Sequence, residues 1–320
     1  MSAIQPFDTH SIAGFWRRIA AFALDALALG LIGITLGAIF EEQLVSLGPW
    51  GRLLGFLIAL VYFGPLNSRL AGGQTLGKRL LQIKVVDAQG APLALGRSLL
   101  RFLPLGSVWF LNNAQLPDGV LFSAWAAVFG LAILGLGAST LYLYVFNRRS
   151  RQSLHDWLVG SFVVNAASQG ALAAEIAGPP PKLHRVVCAL LLALGGLAPL
   201  ISQQFQQQEP FAQLGQILHA VNAETWIVSS GVNQGATYTS SSSAGSKTTR
   251  HLSINAVSRD ADIGNAERAQ KLAALTLAAH PAAGQLDLIQ ITIVHGYDIG
   301  IASAWRSHST ARAPAKWLAP

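Results

Sequence analysis

The chain has 320 residues, 52% of them apolar and only 12% charged, and its mean hydropathy is +0.42. Soluble domains carry about a quarter charged residues, so this composition argues against an ordinary soluble domain and for a membrane protein. The net charge of +7 would suit nucleic acid, but about +6 of it lies in residues 1–202 beside apolar runs, the ordinary topology signal of spans, and nucleic acid is set aside as a partner.

Ile19–Phe40 is the first long apolar run, about 22 residues and long enough to cross a bilayer. It is not a short apolar core followed by a small-residue cleavage site, so it reads as a retained signal-anchor. Arg17 and Arg18 beside Trp16 mark its cytoplasmic mouth. The run carries one acid, Asp25. Seven positions separate it from Arg18, roughly two helical turns, so both lie near one helix face with Asp25 about 10 Å deeper. A carboxylate there costs on the order of 2.5–3.5 kcal/mol and needs a partner; Arg18 is the nearest candidate along the helix.

Pro49–Leu66 predicts a second span. Asn67–Arg101 carries Arg69, Lys78, Arg79, Lys84, Arg97 and Arg101 against Asp87 alone, which assigns it to the cytoplasm. Within it Gln82–Val86 and Leu93–Leu95, separated by the turn residues Ala88–Pro92, predict a small hairpin at the membrane surface. Ser161–Asn165 is another short strand that suits pairing with Gln82–Val86. Gly72–Arg79 comes near the phosphate-loop pattern, but Arg79 stands where Ser or Thr is needed and no strand–helix unit surrounds it, so nucleotide hydrolysis is rejected. Gly77 is instead expected to let the backbone lie close to the membrane, with Lys78 and Arg79 at anionic headgroups.

Ser98–Leu111 reads as a weak third span, interrupted by Pro104 and holding Arg101 near one end. Charge placement requires it, because Val120–Phe146 is an uncharged run of about 27 residues ending at Arg148, Arg149 and Arg151, which also belong inside. An outer turn at Asn112–Gly119 joins the two; a re-entrant loop is the alternative. Ser153–Gly160 predicts a short interfacial helix, Ala166–Lys182 a linker ending in Pro179–Pro181, and Val186–Ile201 a fifth span. In Gln203–Pro320, helical spacing around Phe211–Val221 and Ala266–Leu277 alternates with strands at Thr225–Tyr238, Thr248–Ser258, Leu286–His295 and Ile299–Ser309. The order α-β-β-α-β-β predicts a two-layer α+β domain.

The expected fold class is therefore mostly α: a polytopic helical membrane core of about five transmembrane helices with a small cytoplasmic β-hairpin, followed by an extracytoplasmic α+β domain. The divisions are 1–165 for the core, 166–183 for the proline-rich linker, 184–202 for the fifth helix and 203–320 for the terminal domain. His155–Asp156 sets a proton-active side chain beside a carboxylate, although the residues by themselves favour a helix start, with Ser153 as cap and Asp156 in the first turn. Arg79, Arg97 and Arg101 are candidate partners of Asp156. His295, Tyr297 and Asp298, with His251 and His308, lack the short paired spacing of metal motifs. Neither a metal nor a cofactor is expected. Cys188 is the only cysteine, which excludes an intrachain disulfide.

Three segments in order carry a resemblance: Gly-Phe-Trp-Arg-Arg-Ile-Ala-Ala-Phe-Ala-Leu-Asp (Gly14–Asp25), Gly-Gln-Thr-Leu-Gly-Lys-Arg-Leu-Leu-Gln-Ile-Lys-Val-Val-Asp (Gly73–Asp87) and Ser-Leu-His-Asp (Ser153–Asp156). Over Gly14–Val164 the chain resembles the RDD family of bacterial membrane proteins. The resemblance implies that Arg18, Asp25 and Asp156 are the arginine and two aspartates of the family's name. It also suits a multi-pass protein of the bacterial cytoplasmic (inner) membrane, amino terminus inside and terminal domain outside. Two functions stay open. One is a transporter of a small solute or cation, proton-coupled, with Arg18, Asp25, His155 and Asp156 on the ion path and Gly77, Lys78, Arg79 and Arg101 structural or at headgroups. The other is a membrane-anchored module whose residues 203–320 bind an envelope protein, with a homo-oligomer also compatible. No nucleophile–base pair supports an enzyme.

Overall fold

The computed structural model describes residues 11–112, 123–206, 208–209, 211–241 and 245–318. Most of the expected outer turn at Asn112–Gly119, the start of the Val120–Phe146 run and residues 242–244 between the strands expected at Thr225–Tyr238 and Thr248–Ser258 lie outside the described residues. The chain divides into two compact units, one of Met1–Leu36, Arg52–Ile201 and Ile299–Ala302, the other of Gly37–Gly51, Ser202–Asp298 and Ser303–Pro320.

Among the described residues, three helical stretches are long and apolar enough to cross a membrane: Phe15–Leu66, Trp125–Phe146 and Ala174–Ser202. The first joins α1 (Phe15–Leu47) to α2 (Gly51–Leu66) through a single 3-10 turn at Gly48–Trp50, and Phe40 departs from helical geometry at φ −125°. Its 52 residues, at about 1.5 Å each, exceed twice the roughly 30 Å of a hydrocarbon core, so it is not one crossing. A short helix, α3 (Leu76–Leu80), follows. The weak third span forms as α4 (Leu95–Leu111), which at 17 residues falls short of a full crossing and buries Ser98 and Arg101 along with Phe102 and Phe110. The three stretches that qualify among the described residues do not by themselves establish the expected five spans, since the first is longer than one crossing and α4 falls short of one.

Trp125–Phe146, here α5, contains a π turn at Leu131–Gly135. Beyond α6 (Leu154–Val159) and the short α7 (Ala174–Ala177) comes α8 (Lys182–Gln206). The π turn lies where α5 meets α8, and glycines make the meeting close: a Cβ added to Gly130 would stand 2.4 Å from the Gly195 carbonyl oxygen, and one added to Gly195 would stand 2.4 Å from the Gly135 nitrogen. Small residues let helix backbones approach where lipid gives no hydrophobic drive.

The expected hairpin is replaced by a pairing across a long sequence distance. Strand β1 (Ile83–Asp87) runs antiparallel to β2 (Ser161–Asn165), with Val85 opposite Val163 and Val86 opposite Phe162. Leu93 makes only an isolated bridge to Ser68, and α4 starts at Leu95. The reason lies at Asp87, whose carboxylate accepts the N–H groups of Gln89 and Ala91 at 3.0 Å each, closing a tight turn that delivers the chain to a helix. β2 offers β1 what Leu93–Leu95 lacks, a run of buried apolar cross-strand partners. Leu172 and Ile176 cover Val86, Phe162 and Val164, so the first part of the expected linker packs onto this sheet.

The second unit holds α9 (Phe211–Asn222), β3 (Ile227–Ser241), β4 (Gly245–Ser258), α10 (Ala266–Ala279), β5 (Leu288–Asp298), β6 (Ser303–Arg312) and α11 (Pro314–Trp317). The strands form one sheet in chain order, antiparallel except for β4 beside β5, and α10 makes the crossover that a parallel pair requires. Alternation places Leu252, Ile254, Ile289, Ile291 and Ile293 on one face, where Ile217, Val221, Leu272 and Trp317 complete the core. The α-β-β-α-β-β order matches the sequence reading, with strand ends offset by at most four residues.

Candidate functional site

Asp25 is fully buried in α1, yet its partner is not Arg18. Its carboxylate accepts the Tyr62 hydroxyl at 2.8 Å, the Thr75 hydroxyl at 2.5 Å and the Gly77 backbone N–H at 2.8 Å. All three donors are neutral. Thr75 is the N-cap of α3, so the acid sits at the exposed N–H groups of that helix start. Gly77 is required for this approach, because a Cβ there would lie 2.0 Å from the Ala21 carbonyl oxygen. The close contact expected of Gly77 is therefore with the α1 backbone and not with lipid. The seven-residue spacing does put Arg18 and Asp25 on similar faces, but about 10 Å of helix rise is beyond the reach of one guanidinium.

Arg18 turns to Asp156. The second acid, also fully buried, accepts Arg18 Nη2 at 2.7 Å, Arg101 Nη2 at 2.7 Å and Nε at 3.0 Å, the Ser161 hydroxyl at 2.9 Å and the Ser153 N–H at 3.2 Å. The last of these is the helix-start contact foreseen for α6, so Asp156 serves as both cap and ion-pair centre. Of the three candidate arginines it takes Arg101. Arg97 donates to the Val159 carbonyl oxygen and stands 3.9 Å from Asp87, while Arg79 is exposed. Burial opposes ionisation of Asp156, but the guanidiniums of Arg101 and Arg18 hold its carboxyl well below the usual carboxylate range. Arg18 also donates to the Arg151 carbonyl oxygen and lies over the Tyr144 ring, 5.1 Å from its centroid.

His155, the proton-active candidate of the sequence, is buried beside Asp156. Burial pushes its pKa down to about 3, outweighing the attraction of Asp156 3.7 Å away, and the Ser153 hydroxyl lies 2.8 Å from Nδ1.

Arg18, Arg101, His155, Tyr144, Asn67 and Lys78 share the wall of a cavity of about 50 Å³, closed on its other sides by Phe22, Phe63 and Phe102. That is room for up to about three water molecules. Lys78, expected at headgroups, is half-buried on this wall, and among the described residues no carboxylate lies within ion-pair distance of its Nζ. Burial first, and then the charge of Arg101, lower its pKa to about 7. Asn67 is buried with its Oδ1 unpartnered while its amide nitrogen donates to the Phe63 carbonyl oxygen at 2.9 Å. Tyr62, Thr75, Ser161 and Asn67 escaped the sequence reading; only Thr75 carried a signal, standing as a helix-capping residue just before Leu-Gly-Lys-Arg.

His295, Tyr297 and Asp298 end β5, while His251 and His308 point to opposite faces of the sheet by register. Among the described residues no group of three His, Cys, Asp or Glu comes together.

Residues 12–160 match the model of the RDD family. The chain is similar to the protein YckC of Bacillus subtilis (strain 168), 26% identical over 159 residues that cover 50% of this chain and 88% of that one. It is also similar to YxaI of the same organism, 26% identical over 111 residues covering 28% of this chain and 73% of the relative; both relatives are described as uncharacterized. No solved structure matches. The family match and the long apolar helices make this an integral membrane protein. The arginine and both aspartates that resemblance singled out stand within the matched segment and hold its elements together, and it is over residues 12–160 that this chain matches the RDD family.

Proposed function

We propose that the membrane-spanning part moves a small cation or other small solute across the bilayer with proton coupling, and that Lys78 takes up and releases the proton. The observation that carries this reading is the polar cavity, where, among the described residues, Lys78 makes no ion pair and the Asn67 Oδ1 has no hydrogen-bond partner. Asp25 and Asp156 suit the role less well, since both oxygens of each are already engaged by donors. A proton leaving Lys78 changes the charge of a site walled by Arg18 and Arg101, and so the cost of a cation entering beside them. A lysine with a pKa of about 7 makes that change near neutrality.

The test is a proteoliposome assay with an internal pH-sensitive dye, applying sodium and potassium gradients in turn. A gradient-driven pH change is expected from the wild type, lost in Lys78→Met and retained in a folded Asp25→Asn protein. No pH change with either cation in the wild type would remove transport of these ions; a change unaltered in Lys78→Met would remove the lysine from the mechanism.

A further inference from the structure

We propose that a groove between the amino-terminal end of α1 and the carboxy-terminal end of α5 binds the headgroup of an acidic phospholipid. The groove encloses about 580 Å³, and Arg17, Arg18, Arg148 and Arg151 line it with no acidic side chain among the lining residues. Two of the four are committed elsewhere. Arg17 donates to Asn165 Oδ1 at 2.7 Å and to the Leu81 carbonyl oxygen, and Arg18 is bound to Asp156. Arg148 and Arg151 are exposed, and among the described residues neither guanidinium makes a hydrogen bond or ion pair.

The backbone holds Arg151 in place for this. Its φ is +49°, a left-handed conformation uncommon outside glycine, and Arg18 fixes it by donating to its carbonyl oxygen. The Arg151 guanidinium thereby lies over Gly14, 3.5 Å from where a Cβ would stand. Two free guanidiniums suit a phosphodiester, which arginine binds with paired N–H donors.

The surroundings select a lipid over free phosphate. The groove lies at the ends of two helices of membrane-spanning length, where headgroups meet protein. Trp16 beside it is 78% exposed, as interfacial tryptophans are, and Leu141, Val145 and Phe146 leave an exposed apolar track along α5 for an acyl chain.

The experiment is native mass spectrometry of the full chain in neutral detergent, titrated with phosphatidylglycerol or phosphatidylcholine. The wild type is expected to retain phosphatidylglycerol in preference. Each removed charge should lower that retention roughly fivefold, in Arg148→Gln alone and again in Arg148→Gln with Arg151→Asn, asparagine being chosen because it tolerates the left-handed backbone. Phosphatidylcholine retention should not change, which also reports an intact fold. Excess inorganic phosphate should leave the lipid bound. Equal retention of the two lipids by the wild type, unchanged phosphatidylglycerol retention in both variants, or displacement of the lipid by phosphate would each overturn the proposal.

Discussion

Replacing Asp156 by asparagine keeps the side chain's size while removing the one negative charge between Arg18 and Arg101. The wild-type carboxylate accepts five hydrogen bonds, three of them from guanidinium nitrogens. An amide presents one acceptor oxygen and turns its NH₂ toward groups that are themselves donors. Two arginines less than a tenth exposed are then left without their acid, and breaking a buried ion pair from one side costs about 3–5 kcal/mol. Asp25→Asn should be milder. An amide oxygen in the place of Oδ1 keeps both Tyr62 and Gly77, and the Thr75 hydroxyl can rotate to accept from the new NH₂, so the loss is about 1–2 kcal/mol. Unfolding midpoints of the purified protein in detergent, followed by tryptophan fluorescence, should separate the two variants by roughly 2 kcal/mol, or about 30-fold in equilibrium constant. Adding Arg18→Met to Asp156→Asn should recover part of the loss, because it removes a charge that has lost its partner. Equal destabilisation by the two asparagine substitutions, or a double variant less stable than Asp156→Asn alone, would refute the assignment of one acid to cations and the other to neutral donors.

Gly77→Ala should destabilise by about 1–3 kcal/mol in the same assay, since its Cβ would meet the Ala21 carbonyl oxygen at 2.0 Å; Gly96→Ala, with nothing within 4 Å, should be neutral or slightly stabilising. A Gly77→Ala protein as stable as wild type would mean the α1–α3 contact is looser than described. Lys78 gives a pH dependence whose sign is fixed: its pKa is 10.5 in the unfolded chain and about 7 in the folded one, so between those values the unfolded state binds more protons and stability rises with pH. Lys78→Met should therefore gain stability relative to wild type below about pH 7, with the gain fading toward pH 10. A gain of the same size at both ends would show that burial of the charge is not its cause.

The terminal unit was readable because alternation and helical spacing are local signals: Ile289, Ile291 and Ile293 announce a half-buried strand, and Leu272 and Ala273 a packed helix. The pairing of β1 was partly readable. Val85 and Val86 suggested a strand, but the choice between Leu93–Leu95 and Val163–Val164 rested on a turn that Asp87 closes, which spacing does not reveal. The site was least readable where polarity is carried by neutral groups. Asp25 signalled a buried acid, yet its donors are a tyrosine in an apolar helix, a threonine and a glycine N–H, none of which composition marks as an ion's partner. Arg18 was visible and was matched to the wrong acid, because helical periodicity gives the face a side chain shares and not the distance it reaches.

The two acids also differ in when a growing chain can satisfy them. The donors to Asp25 follow it within 52 residues, so they emerge soon after α1 itself. Asp156 lies 138 residues after Arg18 and 55 after Arg101, and those two guanidiniums are made long before the acid that neutralises them. During synthesis α1, α2 and α3 can close around Asp25 as a first stage, while Arg18 and Arg101 still lack the acid that neutralises them. The arrival of α6 and β2 then joins α1, α4 and the sheet in one step. A chain truncated before residue 156 should on this account insert and yet stay open, which makes Asp156 the clasp of the fold.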